Sequence, residues 1–247
     1  MKFEKVIKTL SATVAAVVVF FMAGGMYLSS KGFTMLENGD IVLVPSAIAQ
    51  DESGNVELPV IPDNLVLPND HFIGKEDAPI SIYEYSSFGC SHCADFHLQV
   101  LPELKEEYID KGLVKLVFVP FPIDKSSMDG ALLAECVAND KYFDFVSVLF
   151  KKQRSWRLDR KPQDVMKQFA LLHGGNAEQL DACLHNDDNA REILSNRQNA
   201  RTQLGIQGTP SFVISVDGKS ELIPGYRPYE DFKAIIDAKL EAKSIKK

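Results

Sequence analysis

Two cysteines three positions apart, in Cys90-Ser91-His92-Cys93, sit where a β-prone run ends and a helical run begins. No other feature narrows the possible folds as much as this junction. Ile80, Ile82, Tyr83 and Tyr85 precede it as strand-forming residues, and Phe96, Val100, Leu101, Leu104 and Tyr108 follow at helical spacing. The first cysteine therefore falls at a helix N-terminus, where unpaired N–H groups and the macrodipole favour a negative charge. A thiolate is such a charge, so Cys90 is expected to ionise more easily than a free thiol. Cys93, one helical turn on, is close enough to close a disulfide with it.

Half of a zinc site is the other chemistry that a CxxC supplies. A structural zinc site needs two further ligands, usually as a second close pair. The chain has four cysteines, and Cys136 and Cys183 each stand alone. His97, four residues beyond Cys93, is available to a metal but is read as a helix-surface residue. Redox chemistry is therefore the stronger reading, with no metal and no cofactor expected. The net charge of −7 argues against a nucleic-acid partner, and the only basic run read here is the tail Lys239, Lys243, Lys246 and Lys247.

The first residues read as an address. Lys2, Lys5 and Lys8 precede an uncharged stretch over 9–30, long enough to span a bilayer at about 20 residues. The lysines would remain cytoplasmic and the remainder would be exported. Ala47-Ile48-Ala49 before Gln50 fits a small-residue cleavage pattern, so both a cleaved leader and a retained anchor are open. Either places the body in an oxidising compartment, with a bacterial periplasm expected.

The expected organisation has five parts. Residues 1–49 are a signal peptide or membrane anchor with leader, and 50–75 a proline-bearing linker or arm. Residues 76–125 form the first part of an α/β domain, 126–190 an all-helical insertion, and 191–247 the second part. Within 76–125 a strand Ile80–Ser86, a helix kinked at Pro102 and ended by Gly112, and an apolar strand over 113–120 make a βαβ unit, hence a parallel pair. The insertion carries four helices, over 126–137, 143–150, 162–172 and 177–185. A fifth over 189–204 leads back to Gly208-Thr209-Pro210 and a strand Ser211–Val216. Asp217-Gly218 between two β-prone runs signals a hairpin, and a last helix covers 228–239.

This order, with a CxxC opening the first helix and Thr-Pro before a late strand, resembles the DsbA family of periplasmic thiol–disulfide oxidoreductases within the thioredoxin superfamily. The resemblance covers roughly residues 70–240 and rests on Phe88-Gly89-Cys90-Ser91-His92-Cys93, the helical insertion and Gly208-Thr209-Pro210-Ser211-Phe212. It implies a thioredoxin fold with an inserted all-helical domain. Cys90 would be the attacking thiolate, Cys93 the buried resolving thiol, and Pro210 a cis-proline facing them with Thr209 beside it as a peptide-docking edge. Where Ser91 stands, the family commonly has proline. The implied partners are reduced exported proteins and a DsbB-like membrane reoxidant.

Two further residues join the expected site. The His92 ring is expected near Cys90, favouring the reduced, ionised form. Glu84 is the one charge in the first strand and shares a face with Ile80 and Ile82. It resembles the family's buried acid that passes protons to the resolving cysteine. Cys136 and Cys183 both lie on apolar helix faces. A structural Cys136–Cys183 disulfide is expected in an exported protein, with two buried free thiols as the alternative. The expected activity is protein dithiol oxidation. An isomerase or reductase on the same fold, and a metal-binding thioredoxin-like chaperone, are the alternatives.

Overall fold

The computed structural model describes residues 71–245, together with the backbone of four short strands: β1 (Phe33–Met35), β2 (Ile41–Leu43), β3 (Ala49–Gln50) and β4 (Val56–Leu58). The segment over 1–30, read as a leader or anchor, lies outside the described residues, and the choice between cleavage before Gln50 and a retained anchor stays open. Strands β1 and β2 form their own antiparallel pair. No helix among the described residues is long and apolar enough to cross a membrane.

From Val56 onward the chain builds a mixed sheet. Its strands are β4, β5 (His71–Ile73), β6 (Ile80–Ser86), β7 (Val114–Pro120), β8 (Ser211–Val216) and β9 (Lys219–Pro224), lying in the order β4-β9-β8-β6-β7-β5. The β6–β7 pair is parallel and runs from Ile80 opposite Val114 to Ser86 opposite Pro120. All other pairs are antiparallel. The apolar residues that predicted two strands and a crossover thus form the centre of the sheet, where strands are covered on both faces. The hairpin at Asp217-Gly218 is present, with φ of 49° and 80° at its two central residues. Positive φ at both positions matches the right-handed twist of the flanking strands. Strand β5 falls inside the segment read as a linker; its edge pairing with β7 extends the sheet.

The crossover between β6 and β7 is one helical rod. It comprises α1 (Ser91–Asp95), a π-helical turn (Phe96–Val100), α2 (Leu101–Leu104) and a second π-helical turn (Lys105–Ile109). Pro102 sits in α2, where it has no N–H to give. Just before it the Leu101 N–H bonds the Phe96 carbonyl, five residues back. The rod thus widens beside its proline. Gly112 ends it at φ +74°.

The helical unit between β7 and β8 holds α3 (Lys125–Ala134), a 3₁₀ turn (Asn139–Lys141), α4 (Tyr142–Lys151), α5 (Gln153–Arg157), α6 (Pro162–Leu172), α7 (Ala177–Leu184) and α8 (Asp187–Gln203). The last helix of the chain is α9 (Tyr229–Ile245). Two buried clusters result. One packs the sheet against the rod and α9 through Ile80, Ile82, Phe96, Phe212, Phe232 and Ile236. The other fills the helical unit with Leu133, Phe145, Leu149, Trp156 and Met166, and reaches Phe88 and Cys93. Each fully buried side chain of this size contributes about 2–3 kcal/mol. Cys93 therefore lies where the helical core meets the sheet.

Candidate active site

Strand β6 ends at Ser86, and the chain then turns through Ser87, Phe88 and Gly89 so that Cys90 caps α1. Cys90 has extended backbone (φ −86°, ψ 125°), its N–H donates to the Ser87 carbonyl at 3.0 Å, and its carbonyl accepts the Ala94 N–H at 3.2 Å. Both Cys90 and Cys93 are free thiols here. Cys90 is half-buried and Cys93 is fully buried.

The two sulfurs are made unequal by their surroundings. Cys90 is lowered from the ordinary 9.0 to about 5. The Cys93 thiol donating to it is the largest cause, opposed by partial burial and reinforced by the Thr209 hydroxyl and the N–H groups of Cys93 and His92. Cys93 is pushed far up, first by burial and then by the neighbouring Cys90 that it serves as donor. The Ser87 N–H approaches its sulfur at 3.5 Å. The Ser86 hydroxyl, buried in the same strand end, also acts to lower Cys93.

Across the site, the Thr209–Pro210 peptide is cis. When protonated, Cys90 Sγ donates to the Thr209 carbonyl at 3.2 Å. Residues 119 positions apart in the chain thus meet at the nucleophile, as the motif pair predicts.

Glu84 is fully buried but not alone. Both its carboxylate oxygens lie 3.0 Å from His97 Nε2, whose side chain is only 3% exposed. His97 stacks on Phe150 with ring centroids 4.2 Å apart. His97, expected on a helix surface, is buried. The signal that would have found it is Glu84 itself, because a charge inside a buried strand requires a partner. The His92 ring turns outward. It is 68% exposed and lies 3.4 Å from Asp95, and His92 contributes to Cys90 through its backbone N–H. No group of three residues able to hold a metal gathers among the described residues.

Cys136 and Cys183 are joined in a disulfide with Cα atoms 6.5 Å apart. It ties the end of α3 to α7. Beside it, His71 of β5 pairs with Glu135 at 3.2 Å and stacks on Tyr142 at 3.5 Å, linking the sheet edge to the helical unit.

The site has a second set of contacts that the sequence did not signal. Gln153 Nε2 donates to the carbonyls of Phe88 and Cys90, both at 2.7 Å. The Gly89 N–H donates to Ser127 Oγ at 3.0 Å, and Ser127 Oγ donates to Asp124 Oδ1 at 2.6 Å.

Comparison with known proteins agrees with this geometry. A family model described as "Thioredoxin" matches residues 67–238. The chain is 30% identical over 148 residues to a putative protein-disulfide oxidoreductase of Rickettsia bellii, covering 60% of this chain and 57% of that protein. The chain thus spans little more than half the length of this relative. It is 33% identical over 149 residues to a probable disulfide bond formation protein D of Bacillus cereus, covering 58% of this chain and 68% of that one. Among solved structures, Wolbachia pipientis alpha-DsbA1 superposes with a TM-score of 0.68 at 31% identity, over 73% of this chain and 95% of that chain.

Proposed function

Since the chain belongs to the thioredoxin family, in its DsbA-like branch, we propose that it is a thiol–disulfide oxidoreductase that oxidises the cysteines of exported proteins through a mixed disulfide at Cys90. The observation that carries this reading is the placement of the two sulfurs: a half-buried Cys90 capping α1 beside the cis Thr209–Pro210 peptide, and a fully buried Cys93 one helical turn on.

In the oxidised form a substrate thiolate attacks Cys90 Sγ. The Cys90–Cys93 bond breaks, a Cys90–substrate bond forms, and Cys93 leaves as a thiolate that takes up a proton. A second substrate thiolate then attacks the substrate sulfur of that mixed disulfide. Cys90 departs as a thiolate, the substrate carries a new disulfide, and two electrons rest on Cys90 and Cys93. Cys90 is a good leaving group because its thiolate is stable, since leaving rates rise as the thiol pKa falls. Stabilising the reduced state in this way makes the disulfide an oxidant. Reversal of the first step requires Cys93 to lose its proton inside the protein. Ser86 is adjacent to it, and Glu84 lies one alternation away on β6, paired with His97 of the rod. We assign Glu84 the handling of that proton. His92 acts through its N–H, and the Thr209–Pro210 edge receives the substrate backbone beside Cys90.

The expected setting is the periplasm, with residues 1–49 as leader or tether, the parts 50–75, 76–125, 126–190 and 191–247 as the arm and the split domain, and a DsbB-like membrane protein as reoxidant. The test is oxidation of a reduced, unfolded disulfide protein by the oxidised chain. Stoichiometric disulfide transfer, lost in Cys90→Ser, is expected. Transfer that persists in Cys90→Ser would refute the assignment.

A further inference from the structure

The turn that delivers the nucleophile presents three backbone polar groups to the helical unit, and side chains there answer all three. The Phe88 and Cys90 carbonyls accept from Gln153, each at 2.7 Å. A side-chain amide nitrogen carries two hydrogens, so one residue fills both bonds. Between them, the Gly89 N–H is taken by Ser127, itself fixed by Asp124, whose Oδ1 also accepts the Ser127 N–H at 2.7 Å as the cap of α3. The fit has no slack. A Cβ on Gly89 would lie 2.5 Å from Ser127 Oγ and 2.7 Å from Asp124 Oδ2.

Gln153 is held in advance of any substrate. It opens α5, a single short helix pinned by the fully buried Trp156, whose Nε1–H donates to the Leu149 carbonyl at 2.8 Å. The Cys90 carbonyl that Gln153 grips is also the first acceptor of the rod, through the Ala94 N–H. Fixing that carbonyl fixes the direction in which α1 starts, and with it the N–H groups of His92 and Cys93 that face Cys90 Sγ.

We propose that Gln153 is a positioning residue for thiol exchange: its amide, reaching from the helical unit, holds the Phe88–Gly89 and Cys90–Ser91 peptide planes so that the N–H groups at the start of α1 converge on Cys90 Sγ. The inserted helical unit is then part of the catalytic apparatus and more than a cover for the sheet. The assignment rests on Cys90 being the nucleophile. The charged groups around the turn are Asp124, 3.8 Å from Arg157, and Asp95, 3.4 Å from His92, and substituting Gln153 removes none of them.

The test compares Gln153→Met and Gln153→Glu with the parent in the full-length chain. Methionine keeps the length and bulk without donors. Glutamate keeps the shape but turns an anion toward two carbonyls and the thiolate. The midpoint of Cys90 ionisation is read from the pH dependence of alkylation, and folding from thermal unfolding. Loss of about one hydrogen bond's worth of orientation raises the midpoint by roughly one pH unit in Gln153→Met, an up to ~10-fold slower alkylation below the parent midpoint. Gln153→Glu shifts it further in the same direction. If either folded variant keeps the parent midpoint, or only the melting temperature falls, Gln153 is a structural tie and the proposal is overturned. If the parent itself shows no acidic thiol at Cys90, the functional reading fails first, and the two failures are distinguishable.

Discussion

Replacing Cys93 by alanine tests the origin of Cys90's acidity directly. The Cys93 thiol is the largest stabiliser of the Cys90 thiolate, ahead of the Thr209 hydroxyl and the two N–H groups. A hydrogen bond to a charged group contributes about 1.5–3 kcal/mol. Cys90 is only half-buried, so solvent screens part of this and the lower half of the range applies. At 1.36 kcal/mol per pH unit, about 1.5–2 kcal/mol is roughly 1–1.5 units. Starting from about 5, the Cys90 midpoint in Cys93→Ala should therefore move to ~6–6.5. Cys93→Ser restores an O–H donor in nearly the same place and should titrate close to the parent. The measurement is thiolate absorbance against pH in the reduced proteins, with alkylation rate as a second probe. An alanine variant that titrates with the parent would show that Thr209 and the helix N-terminus set the acidity without Cys93, and the ranking of causes given above would be wrong.

Two further outcomes follow from the same site and its surroundings. Because the folded Cys90 thiol lies below its ordinary 9.0, its stabilisation of the reduced protein is full above 9 and is lost as pH falls through about 5. Cys93, shifted the opposite way, adds a pH-dependent loss only above 9. Denaturant unfolding of reduced and oxidised protein should show the reduced form losing ground steadily from pH 9 to pH 5, and a flat difference would contradict the shift. Replacing both Cys136 and Cys183 by alanine should cost about 2–4 kcal/mol, for a crosslink spanning 47 positions. Denaturant unfolding of the oxidised chain measures it; disulfide transfer by the CxxC should survive at temperatures where the variant stays folded.

The features legible in the sequence were those whose physics is local. Alternation and β-branching marked β6, the apolar run marked β7, Asp217-Gly218 marked the hairpin, and the strand–CxxC–helix junction marked the nucleophile. The contacts that tune the site are of another kind. Gln153 reaches Phe88 across 65 positions, and Ser127 reaches Gly89 across 38. No periodicity or turn chemistry records such pairings. The short helix α5 that carries Gln153 was not anticipated, because five residues hold too little pattern for a period of 3.6. The His92 ring, expected near Cys90 from its place inside the motif, is exposed and lies 3.4 Å from Asp95, a contact that spacing alone does not rank against the thiolate. The basic tail is not the only cationic run: Lys151, Lys152, Arg154, Arg157, Arg160 and Lys161 gather more charge around α5. An overall negative balance hid a local positive one.

Gly89 carries an implication for descent. Its missing side chain is the space that Ser127 and Asp124 occupy. A sister sequence bearing any larger residue there must have given up that hydroxyl and carboxylate, or moved the start of the helix that bears them. Substitutions at these three sites should therefore be inherited in step, and a chain that breaks the association would have to fasten its reactive turn by other means.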